Sequence, residues 1–187
     1  EVSNPSAIFL SGPIEQRPGS LVMVTREGTR PLLVEVQALV DSSPMPNPRR
    51  VAVGFDGNRL AMLLAVLHRH GGIAVYDQDV FVNIVGGIRA TETAADLPVL
   101  LAVLSSFRDR ASSARTIAFG EVGLAGEIRP VPNGEDRLKE AASQGFERAI
   151  VPKANLGKYS AGKNAQLGGM VIVPVSWLSD AIAEILQ

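Results

Sequence analysis

The stretch GEVGLAGEIRPVPNGEDRLKEAASQGF, Gly120 to Phe146, constrains the fold more than any other part of the chain. Its glycines turn a short strand into a hairpin, Pro130 and Val131 form an edge, and an amphipathic helix runs from Asn133 to Gly145, a glycine suited to a left-handed cap. Because these glycines end a strand and enter a hairpin instead of opening a helix, they are turn residues and not a dinucleotide fingerprint.

The rest of the chain alternates strands and helices in mixed order. Ser20 to Val40 reads as two β-branched arms around Arg26-Glu27-Gly28-Thr29, a hairpin. Asp41 to Arg50 holds three prolines, Pro44, Pro46 and Pro48, and is a loop that delivers Arg49 and Arg50 to the surface. VAVGF is a short strand. The next helix is capped by Asp56, ends at Gly71, and aligns Leu60, Leu63, Leu64 and Leu67 on one face. DVFVNIVGG is a strand, and a helix then starts near Thr93 or Asp96 with Pro98 in its first turn. TIAFGEVGLAGEI is a strand and hairpin, RAIVP and MVIVPV are strands, and Ser176 to Leu186 is a terminal helix packed by Trp177, Leu178, Ile182 and Ile185. No repeat period is evident.

With 187 residues, 46% apolar and 20% charged, the chain fills one core of ordinary composition. A net charge of -1 gives no global field toward nucleic acid or membrane, so a polyanion site has to be a local patch. Zero cysteines exclude disulfides, thiolate zinc sites and a cysteine nucleophile, and fit a reducing, cytoplasmic setting. No apolar run approaches the roughly 20 residues that span a bilayer, so no membrane partner is expected. The opening EVSNPSAIFL lacks an initiator Met, and we expect a piece of a longer protein.

Several chemistries are missing. No G-x-x-x-x-G-K-[ST] occurs, so this segment holds no P-loop. His68 and His70, the only histidines, lie two apart on a helix, diverge, and cannot share a metal; both sit where a helix C-terminus favours positive charge. G-x-S-x-G is absent, and no Ser-His-Asp triad has support.

Taken in order, SAIFLSG, FVNIVGGIRATETAADLPVLLAVLSSFRDR, FGEVGLAGEIRPV and GFERAIVPKAN carry a family resemblance. Over nearly its whole length the chain resembles the proteolytic domain of Lon proteases, most closely the Lon-like C-terminal domain of the bacterial RadA (Sms) recombination family. The resemblance implies a single α/β domain over residues 1–187, of Lon proteolytic-domain type (ribosomal protein S5 domain 2-like), with mixed sheets packed by helices. In Lon proteases a lysine on the helix after the hairpin activates a serine at the start of the preceding long helix. Registering this chain from Pro130 and Gly145 puts Glu135 at the lysine position, and counting back from Gly120 puts Ala95 at the serine position. Neither partner is present, and a slip to Asp96 or Asp136 restores none. Lys139 is a solvated surface charge, and Ser105 and Ser106 lie about three turns along the helix.

What remains is a scaffold. The resemblance implies a DNA repair ATPase parent with ATP, Mg and Zn sites outside this fragment, acting on branched recombination intermediates as a hexameric ring, so that the expected partners are other copies and single-stranded or branched DNA. Basic side chains expected at the surface and suited to phosphate oxygens are Arg49 and Arg50, Arg108 and Arg110, and Arg148 with Lys153. Arg59, beside Asp56, either joins them or pairs with that carboxylate. The alternative is an oligomerisation or protein-interaction module that never touches DNA; a Ser-Lys peptidase is the minor alternative.

Overall fold

Both arms of the Ser20 to Val40 segment form strands, because alternate residues find apolar cover on opposite faces. Leu21 and Met23 enter one buried cluster while Val22 and Val24 enter another. The computed structural model describes residues 16–112, 115–160 and 166–185, so SAIFLSG and Leu186 lie outside the described residues. The elements in order are β1 (Ser20–Glu27), β2 (Arg30–Ser42), β3 (Arg50–Val53), α1 (Gly57–Gly71), β4 (Gln78–Ile84) and α2 (Asp96–Arg108). They continue as β5 (Thr116–Ala118), β6 (Glu121–Val122), β7 (Ile128–Arg129), α3 (Gly134–Ser143), β8 (Arg148–Pro152), β9 (Gln166–Leu167), β10 (Met170–Val175) and α4 (Leu178–Ile185).

One sheet runs β3-β4-β2-β1-β5-β8-β10-β9, and β6 and β7 form a separate hairpin. The β1–β2, β2–β4 and β9–β10 pairs are antiparallel, whereas β3–β4, β1–β5, β5–β8 and β8–β10 are parallel. The sheet is therefore mixed, as expected. Helices α1, α2 and α4 pack on one face with Met23, Val34 and Val36; α3 covers the other through Leu138 and Ala141, which meet Val22, Leu33, Ile117 and Phe119. Helix α2 is buried along most of its length because the sheet lies under it and α1 and α4 pack over it. That burial is why DLPVLLAVLSSFR is apolar all round.

The structure corrects two local readings and refines a third. Helix α1 continues through Gly71, where a Cβ would come within 2.8 Å of Ile182, so glycine lets α1 and α4 approach; the left-handed cap is Gly72. The start near Thr93 or Asp96 is both, a 3-10 turn over Thr93–Ala95 followed by α2. Trp177 does not pack the terminal helix but is 53% exposed, because residue 177 bridges to Glu127 of the hairpin loop and α4 begins one residue later. Leu178, Ala181 and Ile185 make the buried face.

Candidate functional site

The parallel strands β1, β3, β4, β5, β8 and β10 all begin at one end of the sheet, and α2 runs against them, so its C-terminus reaches that same end. Ser105 fixes the arrangement by accepting the Gly19 N–H at 2.9 Å and donating to the Arg110 carbonyl at 2.6 Å, while Ser106 Oγ accepts the Val40 N–H at 2.9 Å. These serines are structural. Arg49 and Arg50 enter β3 here, Arg108 and Arg110 leave α2 here, and Arg148 opens β8 here. Arg17, just before β1, joins them. With neighbouring strands ~4.8 Å apart, the strip from β3 to β8 is on the order of 24 Å long. The structure thus gathers five of the predicted cations at one end, while Arg59 and Lys153 lie at the other.

Gathering is not availability. Arg148 donates to Thr116 Oγ1 at 3.3 Å, the Glu184 carbonyl at 3.1 Å and Ser112 Oγ at 3.4 Å, and burial lowers its pKa. Arg50 donates to the carbonyls of Gln78 and, at 3.0 Å, Val75. Both guanidinium groups hold loops together, contrary to the expected free surface charge. Arg49 stays 60% exposed, but one Nη donates to Asp79 at 3.0 Å and its guanidinium lies over the Phe81 ring at 5.3 Å. The Asp79 carboxyl is held below its ordinary range, chiefly by the Arg49 backbone N–H at 2.7 Å, then by the Arg49 side chain. Arg108, stacked at 5.4 Å on Phe107, and Arg110 are exposed and have no ion pair among the described residues.

At the opposite end Lys153 is exposed, but Arg59 is consumed internally. Arg59 does not pair with Asp56, whose carboxylate instead caps α1 by accepting the Arg59 N–H at 2.9 Å. Its guanidinium grips Asp96 with Nε at 2.5 Å and an Nη group, and Asp96, fully buried, also accepts the Val122 N–H at 3.1 Å. Burial pushes the Asp96 carboxyl up, against the pull of Arg59 and Val122. The hydrogen bond to Asp96 raises Arg59.

Ala95, one residue before, is 1% exposed. Glu135 is half-buried at the start of α3. The side chain that reaches from α3 toward the entry of α2 is Arg137, 1% exposed, which donates to Glu92 at 2.5 and 3.1 Å, to the Val24 carbonyl at 2.7 Å and to the Pro132 carbonyl at 3.0 Å. A guanidinium offers only donors, and those of Arg137 are committed to carbonyls and to Glu92, so it supplies no base of the kind a Ser-Lys mechanism needs. His68 meets the edge of Tyr76 at 6.5 Å, and among the described residues no group of three or more His, Asp or Glu converges as a metal site. No helix among them is long and apolar enough to cross a membrane.

The family model described as subunit ChlI of Mg-chelatase matches residues 54–155, more than half of the chain. The DNA repair protein RadA of Escherichia coli K12 is 63% identical over 183 residues, which is 98% of this chain and 38% of that protein. This chain belongs to the ChlI-type domain family and is a homologue of the RadA proteins. RadA of Pseudomonas aeruginosa is 57% identical over all of this chain and 40% of its own length, and RadA of Aquifex aeolicus is 46% identical over 97% and 39%. The chain therefore spans about two fifths of these RadA proteins, whose name ties this family to DNA repair.

Sequence reasoning missed Arg137, Glu92 and Asp96 as the charges that close the α2 entry. The available signal was an arginine on the apolar side of an amphipathic helix, one residue before Leu138.

Proposed function

We propose that this chain is a non-proteolytic, Lon-like scaffold domain of a RadA-type DNA repair ATPase, supporting ring assembly and lending a basic surface to DNA as branched recombination intermediates are processed. The observation that carries this reading is the homology to RadA proteins over 98% of the chain. It is supported by the α2 entry, where Ala95 is buried and Arg137 is committed to Glu92, leaving no serine nucleophile at that position and no neutral amine. ATP, Mg and Zn would then bind in other parts of such a parent, in a cytoplasmic setting.

The DNA surface is assigned to the sheet end bearing Arg108 and Arg110, with Arg17 and Arg49 alongside. Arg50 and Arg148 serve it by holding its loops, and Lys153 and Arg59 stand apart. The test is binding of single-stranded and branched DNA at several salt concentrations. The chain should bind with a steep salt dependence, and Arg108→Ala/Arg110→Ala should flatten the slope by about one unit per lost phosphate contact. Binding that is absent, or salt-independent, would favour the interaction module without DNA contact. That second reading has one observation of its own: an apolar sheet face left bare over β2, β4 and β3.

A further inference from the structure

The face of the sheet covered by α3 over β1, β5 and β8 is bare over β2, β4 and β3. There, Leu39, Phe81 and Val51 stand side by side across three strands, with Gln37, Asn83 and Val53 in the next row. Leu39 is 58% exposed and Val53 57%, and the face encloses a concavity of about 430 Å³. Contiguous apolar surface of this kind marks an interaction site.

A second apolar feature projects from the other side of the molecule. The β6–β7 hairpin anchors Val122 and Ile128 in the cluster with α1, α2 and α4, and presents Leu124, 68% exposed, at its tip beside the exposed Trp177. The hairpin is rigid. Its ends are tied by the Gly123 N–H to the Glu127 carbonyl at 2.9 Å, and the start of α4 is clamped to it by the Ile128 N–H to the Ser176 carbonyl at 2.9 Å and the Leu178 N–H to the Gly126 carbonyl at 2.8 Å. A pre-ordered apolar tip costs little conformational entropy on docking.

We infer that the Leu124 hairpin of one copy docks into the bare β2–β4–β3 face of the next. Three observations select a second copy of this chain as the occupant. A projecting apolar tip and an apolar concavity are complementary in shape. Arg17 lines the concavity and Arg49, stacked on the lining Phe81 and paired with Asp79, stands at its edge, whereas Glu127 and Asp180 flank the tip, so the charges are complementary too. The two features lie on opposite faces of the sheet, so no molecule can satisfy its own, and a contact between unlike surfaces propagates head to tail until it closes. This rests on the assembly reading above and names its interface.

The chain has no cysteine, which permits a direct test. Leu124→Cys/Val53→Cys under mild oxidation should give a ladder of linked chains ending at the ring size, while each single cysteine variant should stay unlinked. In mass measurements Leu124→Asp and Val53→Asp should each weaken assembly by about tenfold or more, as expected for central apolar contacts. Their equal mixture should recover dimers, because one good tip and one good face remain. The double-cysteine chain staying unlinked, or Leu124→Cys linking to itself as readily as to Val53→Cys, overturns the assignment. If the wild type still assembles in that case, the scaffold reading survives and only this face is lost. A wild type that stays monomeric with and without DNA overturns both.

Discussion

The two ends of the sheet carry the same kinds of side chain and use them oppositely. Where the parallel strands begin, Arg108 and Arg110 point away from the body, and even paired Arg49 keeps most of its side chain in solvent. Where they finish, Arg59 and Arg137 are drawn inward onto Asp96 and Glu92, and each also ties an element to its neighbour. The difference follows from what each end offers. The finishing end brings together the start of α2, the β6 amide and the start of α3, so the buried Asp96, the half-buried Glu92 and nearby carbonyls are within a guanidinium's reach. The beginning end is made of loop entries and a helix C-terminus. Arg50 and Arg148 are taken up there by backbone carbonyls and Arg49 leans on Asp79, but Arg108 and Arg110 meet no acid among the described residues, and their charge stays outside.

The largest effect should come from Arg137. Arg137→Leu removes a buried cation with four polar contacts and leaves the Val24 carbonyl without that donor, so thermal or urea unfolding should report a loss of about 3–5 kcal/mol. A loss under about 1 kcal/mol would show that the closed end is not held by this pair. Asp96→Ala should cost about 2–4 kcal/mol, since it strands the Arg59 fork and the Val122 amide.

Asp79 gives a smaller, pH-dependent effect. Its carboxyl is lower in the folded state than in the unfolded chain, so its contribution is complete above the ordinary carboxylate pKa and fades as pH falls through the folded value. Replacing Asp79 by Asn should therefore flatten the acid limb of a stability-against-pH curve while changing little of its shape above neutrality. The smallest effect on stability belongs to the open end: Arg108→Ala/Arg110→Ala should shift unfolding by under about 0.5 kcal/mol, with its consequence confined to DNA binding. Finally, Ala95→Ser/Glu135→Lys should yield no peptide cleavage, because a buried serine beside the Arg59-bound Asp96, and near committed Arg137, lacks room for substrate. Turnover by the unmodified chain would show that the register of the two positions is wrong.

Much of the fold was legible because period and punctuation agree. The Gly28-Thr29 turn, the Asp56 cap, the leucine face of α1 and the hairpin of β6 and β7 all stand where their local chemistry puts them. Strand order was not legible, since β1 pairing with β5 joins segments separated by most of the chain's first half. The site was read only halfway. Exposure could be guessed for Arg108 and Arg110 at a helix end, but the fates of Arg50, Arg59 and Arg148 depend on carbonyls and carboxylates far away in sequence, as with Arg59 and Asp96. Nothing local distinguishes a guanidinium bound to a carbonyl from one left in water.

The sheet's mixed pairing also has a consequence for how the chain acquires its shape. Strands β1 and β2 contact each other through the Gly28-Thr29 turn, whereas β4 reaches β2 and β3 only after α1, β1 waits for β5, and β5 for β8, across longer connections. Contacts of low sequence separation close first, so the β1–β2 hairpin can form while the remainder is still unstructured. During that interval the β1 edge and the apolar side chains meant for α2 and α3 have no cover. The same edge that later joins the two halves is thus the chain's exposed, aggregation-prone margin during synthesis, and the time spent in that state is set by how soon residues 116–118 arrive.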